Sequence, residues 1–233
     1  MKIEKKKLVE FLKKVKMDGT QGISECVLRF EKEGLKIDAN AAAKQSRIMA
    51  WLKTSAFKEY EELGNVGVNG FENVIKVIER FGELIVLNKE GNLLTIKGDN
   101  KKVDIELVSE DFLEVDTGQP DLEFEDTFTI TGKKLKEIYD DVAMNKDAKL
   151  SINTEEKKVK FSNTGKYKFE TILEAPTCKG GAKVDFGEPL IDSTKALTGN
   201  IEMSVKTDYP ARLMEKTEDS VITVIVAPRV EEE

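Results

Sequence analysis

The sequence predicts an α+β chain dominated by antiparallel sheet and built from two similar halves. Short alternating apolar segments recur between polar turns, four amphipathic helical patterns interrupt them, and the order of these pieces repeats halfway along. VLRF and LKID flank Glu31-Lys32-Glu33-Gly34, and GELIVLN and NLLTIKG flank Lys89-Glu90-Gly91; KKVDIEL, AKLSIN, KVKFSN, YKFETILE, IEMSVK and SVITVIV follow. Alternation closed by short polar turns marks antiparallel hairpins, and the pieces amount to about fifteen strands or more.

The helical patterns come in order. Between Lys5 and Lys16, Leu8, Phe11, Leu12 and Val15 share one face. Phe71, Val74, Ile75 and Ile78 repeat that spacing within residues 70–81, just after the turn-like Gly67-Val68-Asn69-Gly70, and Leu135, Ile138, Tyr139 and Val142 do so within 132–144. A weaker fourth pattern over 187–198, with Leu190, Ile191, Thr194 and Leu197, opens on Gly187-Glu188-Pro189, and proline suits a first helical turn. Sliding the chain start by 127 positions lays Ile3, Lys6, Lys7, Leu8, Glu10 and Val15 on Ile130, Lys133, Lys134, Leu135, Glu137 and Val142. Each stretch is followed by a hairpin of similar length, so the chain is read as a duplication. The domains are expected at 1–110 and 125–233. The acidic, aperiodic segment 111–124, with Gly118 and Pro120, joins them as a functional loop or a plain solvated tether.

Composition narrows the function. With 39% hydrophobic and 35% charged residues among 233, the chain can bury real cores and stay soluble. No apolar run approaches the ~20 residues of a membrane span, and the lysine-rich start lacks the pattern of a secretory signal. An intracellular protein with no membrane partner is expected. Cys26 and Cys178, far apart and without CxxC spacing, read as buried thiols. There is no histidine, which excludes Ser-His-Asp and Cys-His catalysis and histidine metal sites. The 44 acidic residues include no D-x-D-x-D loop, and neither GxxxxGK[ST] nor GxGxxG occurs; Cys178-Lys179-Gly180-Gly181 reads as a flexible loop, not a phosphate cradle. No catalytic residue, metal or cofactor is expected; a carboxylate-only Mg²⁺ enzyme is the competing class.

The net charge is −7, yet its distribution is uneven. The first helix carries six lysines against Glu10, the second and third balance, the fourth is −1, and the remainder of the chain totals −11. On the first helix Lys6 and Lys13 project opposite the apolar face, flanked by Lys7, Lys14 and Lys16. Such a face is either plain solvated surface or a diffuse phosphate contact.

The end of the chain, SVITVIVAPRVEEE, resembles the terminal strand and tail of the PCNA family of sliding clamps, through Ala227-Pro228-Arg229-Val230 and the following glutamates. Asp208-Tyr209-Pro210, Leu12-Lys13-Lys14-Val15, Leu28-Arg29-Phe30, Gly34-Leu35-Lys36-Ile37, Phe57-Lys58-Glu59-Tyr60, Gly67-Val68-Asn69 and Pro120-Asp121-Leu122-Glu123-Phe124 match the family in the same order along essentially the whole chain. The resemblance implies the DNA clamp fold, two domains of antiparallel sheet with two helices each, closed into a ring by trimerisation. A homotrimer is preferred to a heterotrimer. It implies a processivity factor, not an enzyme, that encircles double-stranded DNA without sequence preference. DNA polymerase, clamp loader, flap endonuclease and ligase would bind through PIP-type peptides. The location would be the nucleoid-bearing cytoplasm of an archaeal or viral system, or the nucleus of a eukaryote.

By the same resemblance, Lys6, Lys7, Lys13, Lys14, Lys76, Arg80, Lys133, Lys136 and Lys195 face DNA. Asn40, Gln45, Arg47, Pro120, Phe124, Pro210, Ala227, Pro228 and Val230 form the client-peptide pocket. Val103, Ile105 and Leu107 on one edge strand (103–108) meet Tyr167, Phe169 and Ile172 on another (167–174) between subunits. Gln45 and Arg47 stand where the family carries aliphatic residues. The alternative is therefore a specialised subunit of a heteromeric or checkpoint-type clamp that does not serve the main polymerase.

Overall fold

The computed structural model describes residues 1–113, 121–146 and 149–229. The first repeat runs β1 (Lys2–Glu4), α1 (Lys5–Lys16), β2 (Glu25–Glu31), β3 (Gly34–Asn40), β4 (Ser46–Lys53), β5 (Phe57–Glu59), β6 (Gly64–Asn69), α2 (Phe71–Glu79), β7 (Leu84–Glu90), β8 (Leu93–Gly98) and β9 (Lys101–Glu106). The second runs β10 (Asp126–Thr131), α3 (Gly132–Ala143), β11 (Leu150–Glu155), β12 (Lys158–Asn163), β13 (Glu170–Glu174), β14 (Lys183–Phe186), α4 (Glu188–Thr194), β15 (Asn200–Val205), β16 (Ala211–Lys216) and β17 (Ser220–Val226).

Among the described residues all strand pairings are antiparallel, in three sheets ordered β5-β1-β7-β8-β9, β10-β15-β16-β17-β4-β3-β2-β6 and β13-β12-β11-β14. The eight-stranded sheet crosses the repeats, because β17 pairs with β4 from Ser220 opposite Leu52 to Val226 opposite Ser46. Alternation places Ile48, Ala50 and Leu52 with Ile222, Val224 and Val226 in one continuous core, leaving the intervening residues on the other face.

Local chemistry sets the helix limits. Thr131 caps α3 by accepting from the Lys134 amide at 3.2 Å, and Pro189 lies in the first turn of α4. Helices α2, α3 and α4 are shorter than their periodic patterns, and α4 ends at Thr194. That last helix also buries differently than expected. Asp192, Ser193 and Thr194 are buried beside Leu190, while Ile191 is only half-buried. Their polar atoms are satisfied: Ser193 bonds Ser46 at 2.6 Å, Thr194 bonds Tyr139 at 2.6 Å, and Asp192 accepts from Lys195.

The repeats align residue by residue. Turn 31–34 corresponds to 155–158, and the pairs Gly34 with Lys53 and Lys158 with Glu174 then match Ser46, Ile48, Ala50 and Leu52 to Tyr167, Phe169, Thr171 and Leu173. The β8–β9 hairpin closes on Gly98 and Lys101 around Asp99-Asn100, both at positive φ, a two-residue turn suited to the right-handed twist of its strands. The β16–β17 hairpin closes on Thr217 and Ser220 around Glu218-Asp219, so Asn100 corresponds to Asp219 and Ile96 to Glu215. β4 and β17 meet inside the chain. Their counterparts β13 and β9 each end a sheet.

The 178–181 segment is not loose, as the sequence suggested. Cys178 is buried, and the amides of Lys179 and Gly180 donate to the buried carboxylate of Asp126, which also accepts from Thr154. Burial pushes the thiols of Cys26 and Cys178 up to about 12 and about 11, with the charges of Glu25 and Asp126 adding to it, so both stay protonated.

Candidate nucleic-acid and peptide interfaces

The four helices form one row across the inner face of the sheets. Lys13 of α1 pairs with Glu79 of α2 at 2.6 Å. The turn after α1 rests on α4: the Asp18 amide donates to the Asp192 carbonyl at 3.1 Å, and Asp18 pairs with Lys195 at 3.7 Å. A Cβ on Gly19 would lie 1.9 Å from an Asp192 oxygen, so glycine at φ 55° is what permits this approach. Tyr139 of α3 bonds Thr194 of α4. The order across the face is α2, α1, α4, α3.

On that row most of the predicted cations are not free. Lys7 reaches Asp219 at 2.7 Å, Lys14 is bonded to Glu215, Lys16 pairs with Asp18 at 3.1 Å, Lys76 with Glu72 at 3.0 Å, and Lys195 with Asp192 at 3.2 Å. Lys6 makes only a 3.9 Å contact to Glu10, with 84% of its side chain exposed. The hydrogen bond to Asp219 raises the Lys7 pKa, and the reciprocal bond holds the Asp219 carboxyl below its usual range. Glu215, 2% exposed, also accepts from the amides of Thr198 and Gly199, so it fastens α1 of the first repeat to the loop before β15. Arg80, Lys133 and Lys136 are exposed and have no carboxylate partner among the described residues.

The outer face gathers part of the predicted peptide pocket. Asn40, Arg47, Ile225 and Arg212 lie directly opposite one another across β3, β4, β17 and β16, so their side chains share that face. Arg47 does not point an apolar surface outward: its Nε and Nη2 donate to the two Asp38 oxygens at 2.9 and 2.7 Å, a bidentate pair. Gln45 accepts from buried Gln21 at 3.2 Å, and its carbonyl accepts from the Ala227 amide at 2.8 Å. Phe124 packs on the Arg212 guanidinium at 4.8 Å and edge-on to Tyr209 at 6.2 Å, next to half-buried Pro210. Pro228 is half-buried in the segment that carries the chain from β17 to the Asp185 carbonyl, reached by the Arg229 amide. Pro120 and Val230 lie outside the described residues.

Asp38, Tyr209, Arg212 and Ile225 were missed in the sequence. Alternation along β3, β16 and β17 could have signalled Asp38, Arg212 and Ile225, while Tyr209 lies in the turn before β16 and carries no such pattern.

At the edges, Val103 and Ile105 are half-buried on β9, and Leu107 follows that strand. β13 begins later than expected, at Glu170. Tyr167 precedes it, with its amide and carbonyl held by Asn145 at 2.9 and 2.7 Å, and Phe169 donates to Asn163. Tyr167 and Ile172 are more than half exposed, at 52% and 54%. A Cβ on Gly67 would meet the Val108 carbonyl at 2.2 Å, so glycine there lets the chain leave β9 across β6. Among the described residues no group of three or more Cys, Asp or Glu side chains is disposed to hold a metal ion, and no helix is long and apolar enough to cross a membrane.

Two tandem repeats joined through one sheet, with their helices ranked on one face, make up the two-domain DNA clamp fold. The chain superposes along its whole length on solved PCNA structures. These are A. fulgidus PCNA bound to the C-terminal region of FEN-1 (TM-score 0.84, 17% identity, 100% of this chain and 98% of that one), the PCNA2-PCNA3 complex of Sulfolobus tokodaii (0.79, 18%, 99% and 99%), and PCNA from Entamoeba histolytica (0.80, 18%, 98% and 98%). No family model and no curated protein matches the sequence.

Proposed function

We propose that the chain is one subunit of a DNA sliding clamp, a ring that encloses duplex DNA and tethers replication and repair proteins without chemistry of its own. The observation that carries this reading is the pair of open edges. β17 and β4 are already joined, and their counterparts β9 and β13, six and five residues long with the same alternating burial, are left at the ends of their sheets. Joining copies through these edges repeats the internal junction and continues both the sheet and the helix row from chain to chain. The internal register, carried over, sets Val103 opposite Thr171, Ile105 opposite Phe169 and Leu107 opposite Tyr167 of the next copy. On the outer face, Glu106 meets Lys168. Asp104 meets Glu170, each already neutralised, by Lys102 at 2.8 Å and Lys160 at 2.5 Å.

These edges are complementary within one sequence, which favours a homotrimer. Sedimentation of the purified chain tests this: a trimer at micromolar concentration supports it, and a persistent monomer overturns it. Charge reversal sharpens the result. Glu106→Lys or Lys168→Glu alone should weaken assembly, and the two together should restore it.

We infer that this chain also binds client peptides, as A. fulgidus PCNA binds the C-terminal region of FEN-1, and that they dock on the outer face between Phe124, Arg47 and Ala227, where the structure gathers part of the expected pocket. The Arg47–Asp38 pair favours a second reading of that surface, in which this subunit selects clients other than those with purely apolar plugs. Calorimetry with peptides carrying apolar or polar plugs separates the two.

A further inference from the structure

The lysine-rich α1 is the obvious candidate for touching DNA, and its geometry argues otherwise. Four of its six ammoniums hold acids, Lys7 and Lys14 on Asp219 and Glu215 of the second repeat, Lys13 on Glu79 of α2 and Lys16 on Asp18 of the following turn, and Lys5 donates to the Phe81 carbonyl at 2.7 Å. An ammonium holding a carboxylate presents a dipole, whose field falls faster than that of a lone charge. A phosphate that captures it must displace the carboxylate and releases no counterion from it. Among the described residues, Arg80 just after α2 and Lys133 and Lys136 on α3 are exposed and have no carboxylate partner, and they stand at opposite ends of the helix row. We propose that the phosphate contacts of this clamp fall on Arg80, Lys133 and Lys136, which ring closure gathers at each junction between copies, and on α1 at Lys6 alone. The inference rests on the clamp reading.

The repeat supplies an independent reason. α3 corresponds to α1, with Lys133 and Lys134 in the places of Lys6 and Lys7. In the internal junction α1 meets Asp219 and Glu215. In the junction between copies, α3 meets the corresponding positions of the next chain, occupied by Asn100 and Ile96. The carboxylates that hold Lys7 and Lys14 are thus missing from the equivalent place, where α3 carries Lys134 and Asp141, and those two positions of the next copy bring no acid to α3. Lys134 is held by its own neighbour Glu137 at 3.1 Å. Asp140 and Asp141 are also exposed on α3, one turn and more beyond Lys136, and set a negative boundary to the patch. On α1 only Lys6, with the longest of its pairs, is open to a phosphate.

The test is the salt dependence of binding between the assembled protein and a short labelled duplex, measured by anisotropy at several low salt concentrations. Each phosphate contact contributes close to one unit to the slope of log K against log salt. Lys133→Gln and Lys136→Gln should each lower that slope by about one unit, as should Arg80→Gln. Lys7→Gln and Lys13→Gln should leave it unchanged. Equal losses from the α1 variants, or no loss from the other three, would overturn the assignment. A wild-type protein that forms no ring and shows no salt-dependent binding would instead remove the clamp reading itself. Sedimentation of every variant separates loss of contact from loss of assembly.

Discussion

The chain contains the same junction twice, once closed and once open. In the closed one, β4 and β17 share seven residue pairs, Ile48, Ala50 and Leu52 lie in the core against Ile222 and Val224, and Lys7 and Lys14 cross to acids of the other repeat. In the open one, the matching strands end their sheets with Tyr167 and Ile172 exposed, and no acid stands where Asp219 and Glu215 would be. In the proposed ring, one backbone plan would thus serve as a permanent seam and as a reversible one. What differs is chemistry: an ion pair on the buried carboxylate of Glu215 locks the first, and half-exposed apolar side chains are left at the second.

The largest expected effect attacks the closed seam. Glu215→Ala strands the Lys14 ammonium and the amides of Thr198 and Gly199, and should cost about 3–5 kcal/mol of unfolding free energy, read from denaturant curves. A loss below about 1 kcal/mol would place Glu215 among ordinary surface pairs. At the open seam, Tyr167→Asp should leave the fold intact while raising the dissociation constant of the assembly about a hundredfold, the scale of an aromatic anchor worth 2–3 kcal/mol; analytical ultracentrifugation with circular dichroism checks both halves of that statement.

On the outer face, replacing the Arg47–Asp38 pair by Leu and Val should tighten a peptide with apolar plugs about tenfold, or 1.4 kcal/mol, by calorimetry.

The smallest effect concerns the Lys7–Asp219 pair. The Asp219 pKa is depressed, so its contribution is present above the unfolded carboxylate pKa and is lost as pH falls through the folded value. The Lys7 pKa is raised, so its part is lost only as pH rises through the folded value, on the alkaline side. Asp219→Asn should flatten the acid limb of stability against pH by about 0.5 kcal/mol or less, as expected for a solvent-screened pair.

Much of the architecture was legible because it is local. The spacing of Leu8, Phe11, Leu12 and Val15 is a property of twelve consecutive residues, and the helix observed is Lys5–Lys16. The duplication at Ile3 and Ile130 places two buried residues at the same point of two strands. What lay hidden is non-local. Nothing near Lys7 announces Asp219, 212 residues away, or near Lys14 announces Glu215, so counting lysines overstated the free charge of α1. The fourth helix misled for a related reason: Asp192, Ser193 and Thr194 are polar letters that tertiary partners make buriable. Arg47 was noticed as out of place, but its partner Asp38 emerges only once β3 and β4 are paired.

The Glu215 latch has a mechanical consequence. In a hoop of three such chains, six seams alternate between welded and clasped, and only the clasped ones lack a buried ionic bolt. Any machine that pries the hoop apart to admit a strand would meet least resistance where Leu107 leaves Tyr167, and the rest of each crescent would swing as a stiff arm.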